Sequence, residues 1–176
     1  MNTLYTNRLV LRPFRIGDAA AMYKNWTYDE RVARYCRWYP HKSISETEEF
    51  LNWELCSGKE YSWAITLKEN DEPIGSIDLV GVNSFGVPEI GYVLTYSYWG
   101  QGIMTEAVKA VIAELFRNGF EKIGACHKVD NPASGRVMEK CGMTYVRNYT
   151  AQKKFGSDEQ CEVKFYEICK DNSFYS

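Results

Sequence analysis

The sequence predicts one mixed α+β domain, built on a mostly antiparallel sheet of about seven strands. Its 176 residues, 45% hydrophobic and 25% charged, suit a single compact domain able to bury a sizeable core. Segments of alternating character at 61–67, 73–82 and 87–96 follow one another through short polar links, the pattern of an antiparallel meander. Helical segments precede and follow that meander instead of separating its strands.

Residues 8–15 alternate loosely around Leu9, Leu11 and Phe14, as a strand at a sheet edge where Pro13 is tolerated. Asp18 is a good N-cap for a helix through Trp26, and an aromatic helix over 29–38 stops before Pro40. Ser43-x-x-Glu46 fits a capping box and opens a helix that ends near Gly58. Asn70-Asp71 and residues 83–86 supply the turns of the meander. Residues 102–118 form a helix of about four turns, with Glu106, Lys109, Glu114 and Arg117 on a polar stripe and Gly119 as its stop. After a strand at 122–129, Asn131-Pro132 caps a short helix closed by Gly142. Strands near 143–154 and 161–170, joined through 156–159, complete the domain, which is expected to span 1–176.

A net charge of -2 carries no electrostatic footprint for nucleic acid. The six cysteines form no C-x-x-C pair and only two histidines accompany them, so reduced thiols are expected and no metal site. No apolar run approaches membrane-spanning length, and a soluble cytoplasmic protein without a membrane partner is expected. The unusual feature is aromatic content, 15% with 13 Tyr and 5 Trp.

Chemistry begins at Trp99-Gly100-Gln101-Gly102, where a strand passes into a helix. Glycines at a helix start let an anion approach backbone N–H groups at the positive end of the helix dipole; a tight turn with no ligand is the alternative. A Walker A loop requires a lysine that is missing, and a dinucleotide loop requires glycine where Thr105 stands.

The run from Glu89 to Phe116, followed by Asp130-Asn131-Pro132-Ala133-Ser134 and Glu139-Lys140-Cys141-Gly142-Met143, resembles the GNAT superfamily of acyl-CoA-dependent N-acetyltransferases. Within it the chain is similar to the ribosomal-protein N-terminal acetyltransferases, which share openings like Arg8-Leu9-Val10-Leu11-Arg12, strands like Glu89-Ile90-Gly91-Tyr92 and the Trp99 to Gly102 loop. The match covers nearly the whole chain in order. Trp99 and Met104 depart from the superfamily's Gln/Arg-x-x-Gly-x-Gly/Ala loop, and Met104 sets a bulky side chain beside the expected pyrophosphate.

The resemblance implies a twisted sheet splayed between its fourth and fifth strands, helices on both faces, and acetyl-CoA in the opening. Pantetheine amides would pair with backbone at Val93, Leu94 and Thr95, and pyrophosphate would rest on the N–H groups of Gln101, Gly102, Ile103, Met104 and Thr105. Asn131 would contact CoA near the thioester, and Ser134 would protonate the departing thiolate. From the residues alone, the same pair simply caps a helix. Arg136 and Lys140 either meet the CoA 3′-phosphate or form a solvated face.

Acetyl transfer requires a neutral amine. At pH 7 deprotonation costs about 1 kcal/mol for an α-amine and about 4.6 kcal/mol for a lysine. Glu89 stands where the family often places a carboxylate base and is read as acting through water; a strand-edge glutamate in solvent is the alternative. If the strand alternates, Ile90, Tyr92, Leu94 and Tyr96 share one face and Glu89, Gly91, Val93 and Thr95 the other. Trp26, Tyr35 and Trp38, with Tyr28, Tyr39, Asp29 and Glu30 nearby, are expected to receive the acceptor amine or else to serve as packing. A peptide N-terminus and a small-molecule amine both fit, as do a monomer and a homodimer, and a non-catalytic acyl-CoA-binding module is the rival class. Neither His41 nor His127 has a nucleophile at motif spacing, so neither is assigned catalysis.

Overall fold

The computed structural model describes residues 1–170. Its strands are β1 (Leu4–Tyr5), β2 (Leu9–Pro13), β3 (Ser62–Leu67), β4 (Asn70–Val82), β5 (Pro88–Leu94), β6 (Lys122–Lys128), β7 (Thr144–Gln152) and β8 (Gln160–Cys169). Its α-helices are α1 (Ala19–Met22), α2 (Glu30–Ala33), α3 (Ile44–Cys56), α4 (Ile103–Arg117) and α5 (Pro132–Lys140). One sheet runs in the order β1-β2-β3-β4-β5-β6-β8-β7. Every neighbouring pair is antiparallel except β5 and β6, which are parallel and joined at one register pair, Glu89 opposite Gly124. The eighth strand, β1, has two residues, too few to show alternation in the sequence.

The sheet separates two cores. Leu9, Leu11, Trp63, Ile77, Ile90 and Ile123 meet Val108, Val111 and Leu115 of α4 on one face. Ala19, Met22, Trp26, Val32 and Leu51 form a smaller cluster on the other, with Val93 packed against it. The alternation expected along β5 therefore holds: Ile90, Tyr92 and Leu94 join the first core and Val93 the second. Covered on both faces, β3 reads Ser-Trp-Ala-Ile-Thr-Leu with scarcely a polar break.

Several local expectations are corrected. Asp18 does not cap α1; its carboxylate accepts two bonds from the Arg12 guanidinium, at 2.8 and 2.9 Å, and one from the Arg15 N–H. The helix after it turns π-helical over Tyr23–Thr27, and only Glu30–Ala33 of the aromatic stretch is α-helical, capped by Asp29. The β3–β4 turn lies at Lys68 and Glu69, because Asn70 already pairs with Leu67. Glu114 leaves the polar stripe: it is buried, bonded to Asn2 at 3.0 Å and ion-paired with Arg117. The Ser43 cap is present, although Glu46 reaches back to the Lys42 N–H instead of the Ser43 N–H.

Candidate active site

Beyond the Glu89–Gly124 pair β5 and β6 diverge, and a cavity of about 750 Å3 opens from the start of α4 to the residues of α1 and α3. Gly102, the N-cap of α4, is left-handed at φ +76°, as is Gly100. A Cβ in that region costs about 1–2 kcal/mol, which accounts for glycine at both positions. The first-turn N–H groups of α4 lack helical partners by construction, so they form a donor-rich, positive end.

Arg8 braces this loop. Arg8 donates to the Gln101 carbonyl at 3.1 Å and to Glu106 Oε2 at 2.7 Å. Burial opposes ionisation of Glu106, yet bonds from Thr6 and Arg8 hold its carboxyl below the ordinary value. Met104 both lines the cavity and reaches the core. The residue is 6% exposed and belongs to the main core cluster.

Gly102, Ile103, Met104, Thr105, Val93, Leu94, Asn131, Ser134 and Glu89 all line the cavity, as do Trp26, Tyr35 and Trp38. Two expected cofactor residues do not. The Thr95 N–H and hydroxyl both donate to the Ile74 carbonyl, at 2.8 and 2.6 Å, so Thr95 is committed to the sheet. By antiparallel alternation Tyr92 and Leu94, not Thr95, turn their amides toward the opening. Gln101 sends its side-chain amide to the Ser97 carbonyl at 2.8 Å.

Glu89 faces the cavity with both oxygens engaged. Asn83 Nδ2 donates to Oε2 at 3.2 Å and the Cys126 thiol to Oε1 at 2.9 Å. Burial, then the Glu89 charge, push the Cys126 thiol up to about 12, so it remains a protonated donor at neutral pH. Tyr149 is raised as well, by burial first. Asp78, opposite Gly91 and on the same sheet face as Glu89, also lines the cavity. Burial, reinforced by the charge of Glu54, raises its carboxyl to about 6.

Ser134 meets Tyr92: their hydroxyl oxygens are 2.8 Å apart, and the phenol also reaches the Ser134 carbonyl at 3.1 Å. Asn131 caps α5 by accepting from the Ser134 N–H at 3.4 Å. Arg136 and Lys140 lie on the exposed side of α5 at the cavity wall.

At the far end the loop carrying Tyr35 and Trp38 is held from the opposite side of the cavity. Lys154 donates to the carbonyls of Cys36 at 3.0 Å, Trp38 at 2.9 Å and Ala33; Lys128 donates to those of Arg34 and Cys36. Of the other aromatic and acidic candidates, Tyr28 and Tyr39 are exposed and outside the cavity lining, and Asp29 is locked to Arg31. His41 and His127 also line the cavity, His41 bonded to Thr47 and His127 to the Lys128 carbonyl through Nδ1. Tyr92, Cys126, Asn83 and Asp78 were missed by sequence reasoning, because each depends on which strand lies beside which.

A sheet parted beside a glycine-capped helix start, with a carboxylate and a hydroxyl at the parting, is the framework of an enzyme that transfers an acyl group. The chain belongs to the GNAT acetyltransferase family: a family model described as an acetyltransferase (GNAT) domain matches residues 8–144. It is 34% identical over 143 residues to the uncharacterized N-acetyltransferase p20 of Bacillus licheniformis, covering 78% of this chain and 80% of that one. Its fold is similar to that of the acetyltransferase modifying the N-terminal serine of ribosomal protein L7/L12 from Salmonella typhimurium (TM-score 0.78, 21% identity, 94% and 97% of the chains covered). It is similar also to spermidine N-acetyltransferase from Vibrio cholerae, solved with CoA and spermine (TM-score 0.77, 19% identity, 96% and 98% covered). Among the described residues no helix is long and apolar enough to cross a membrane.

Proposed function

We propose that the protein moves the acetyl group of acetyl-CoA directly to a primary amine. The observation that carries this reading is the cavity itself. It joins the donor-rich start of α4, suited to phosphates, to Glu89 and Ser134 and then to the aromatic end. The pyrophosphate rests on N–H groups of the α4 start, and pantetheine pairs with the edge of β5 at Tyr92 and Leu94. The amine nitrogen attacks the thioester carbon, the C–S bond breaks, and the thiolate leaves beside the Ser134 hydroxyl. Glu89 takes the amine's proton through water. Most of the acceleration comes from positioning.

The acceptor enters past Trp26, Tyr35 and Trp38. A protein N-terminal α-amine needs the least help to lose its proton. A small amine carrying a second cation is the alternative that Asp78 and Glu54 favour, because their carboxylates line the same cavity.

Glu89→Gln tests the role of the base. Turnover is expected to fall about 100-fold, with the deficit narrowing as pH rises and free amine accumulates. Equal turnover at every pH would remove Glu89 from the mechanism.

A further inference from the structure

Ser134 does not stand alone, and its partner comes from the opposite wall of the opening. Tyr92 projects from β5, Ser134 sits in the first turn of α5, and their hydroxyl oxygens are 2.8 Å apart. We infer that Tyr92 is a positioning residue for the leaving-group side of the reaction, holding the Ser134 hydroxyl so that its hydrogen faces the departing sulfur. The inference rests on the acetyl-transfer reading above and adds a residue to it.

A serine inside a helix can turn its hydroxyl back to the carbonyl three or four residues earlier. Either hydroxyl of the pair can donate; with the phenol as donor to Ser134 Oγ, the closer of its two acceptors, the serine's one hydrogen is left for another acceptor. The Ser134 carbonyl, 3.1 Å from the phenol oxygen, is the more distant acceptor for the same hydrogen. Burial raises the phenol above its ordinary value, outweighing the lowering effect of its bond to Ser134. Tyr92 thus remains a donor throughout the working pH range and does not surrender its proton. As the C–S bond breaks, its electron pair goes to sulfur. The thiolate accepts a hydrogen bond from Ser134 and takes its proton from water, while the amine's proton leaves through Glu89.

The test uses Tyr92→Phe, which removes one oxygen and keeps the ring, together with Ser134→Ala and the double variant. Thiol release with acetyl-CoA and an amine is followed by steady-state kinetics, and CoA binding by calorimetry. The expected result is a kcat about tenfold lower for Tyr92→Phe, an unchanged CoA dissociation constant, and a double variant no slower than Ser134→Ala alone. A Tyr92→Phe enzyme as fast as the parent, or losses that multiply in the double variant, would overturn the inference. A parent protein that releases no thiol with any primary amine would instead overturn the acetyl-transfer reading, and this role with it.

Discussion

Cys126 touches the carboxylate at the centre of the site, yet it is no nucleophile. With its proton committed to Glu89 and its thiol raised to about 12, it offers almost no thiolate at neutral pH. An acetyl group parked on this cysteine is therefore disfavoured against direct attack by the amine. Cys36 is held in the same state by burial. Alkylation at pH 7 read by mass spectrometry is expected to mark the exposed Cys56 and Cys169 well before Cys36 or Cys126. Equal labelling would contradict the burial of these thiols. A second prediction concerns acid. The Arg12 guanidinium, assisted by Arg15, holds the Asp71 carboxyl below its ordinary value. A lowered carboxylate contributes stability above its unfolded pKa, about 3.9, and loses it as pH falls through the folded value. Melting temperature should decline below about pH 4, and Asp71→Asn should flatten part of that decline. Glu89 was legible through the family resemblance, which sets a carboxylate at its place, while strand alternation gave only the face it shares with Gly91 and Val93. Cys126 was not, since a lone cysteine in mid-strand carries no signal until Glu89 is known to lie beside Gly124.

Among the elements, β4 carries an irregularity that matters. Its register against β5 shifts between Leu79 and Gly81, and nearer the other end Gly75 packs against β5 so closely that an added Cβ would lie 2.3 Å from the Val93 carbonyl oxygen. Gly75→Ala must therefore displace backbone on one strand or the other. A loss of about 1–3 kcal/mol is expected in chemical denaturation, with weaker CoA binding because β5 walls the cavity. An unchanged denaturation midpoint would show that the strands yield freely. The α4 and α5 boundaries were readable from Gly102, Gly119, Asn131 and Gly142, since caps and left-handed glycines act locally. The stretch after Asp18 was not. Its Asp18 and Asp29 are both good caps by residue type, but a buried Arg12 claimed the first, and tertiary pairing outranks local preference.

For the whole molecule, helices on both sheet faces and the parting of β5 from β6 followed from the family resemblance. The strand order was less accessible. β8 inserts between β6 and β7 although it follows both in the chain, and no local pattern distinguishes that order from a simple hairpin at the sheet's end. Under the proposed function the near-neutral charge is no obstacle, because backbone amides at the α4 start would meet the phosphates without a basic surface.

The single β5–β6 pair also has a mechanical consequence. With one rung between them, strands β1–β5 and β6–β8 resemble two leaves on a hinge, and a molecule bonded to both leaves serves as a splint. Binding then reinforces the fold as well as occupying it. At 100 times its dissociation constant CoA should add about 2.7 kcal/mol, read as a higher melting temperature and slower amide exchange at Tyr92 and Leu94. If exchange slows only around α4, the splint grips one leaf alone.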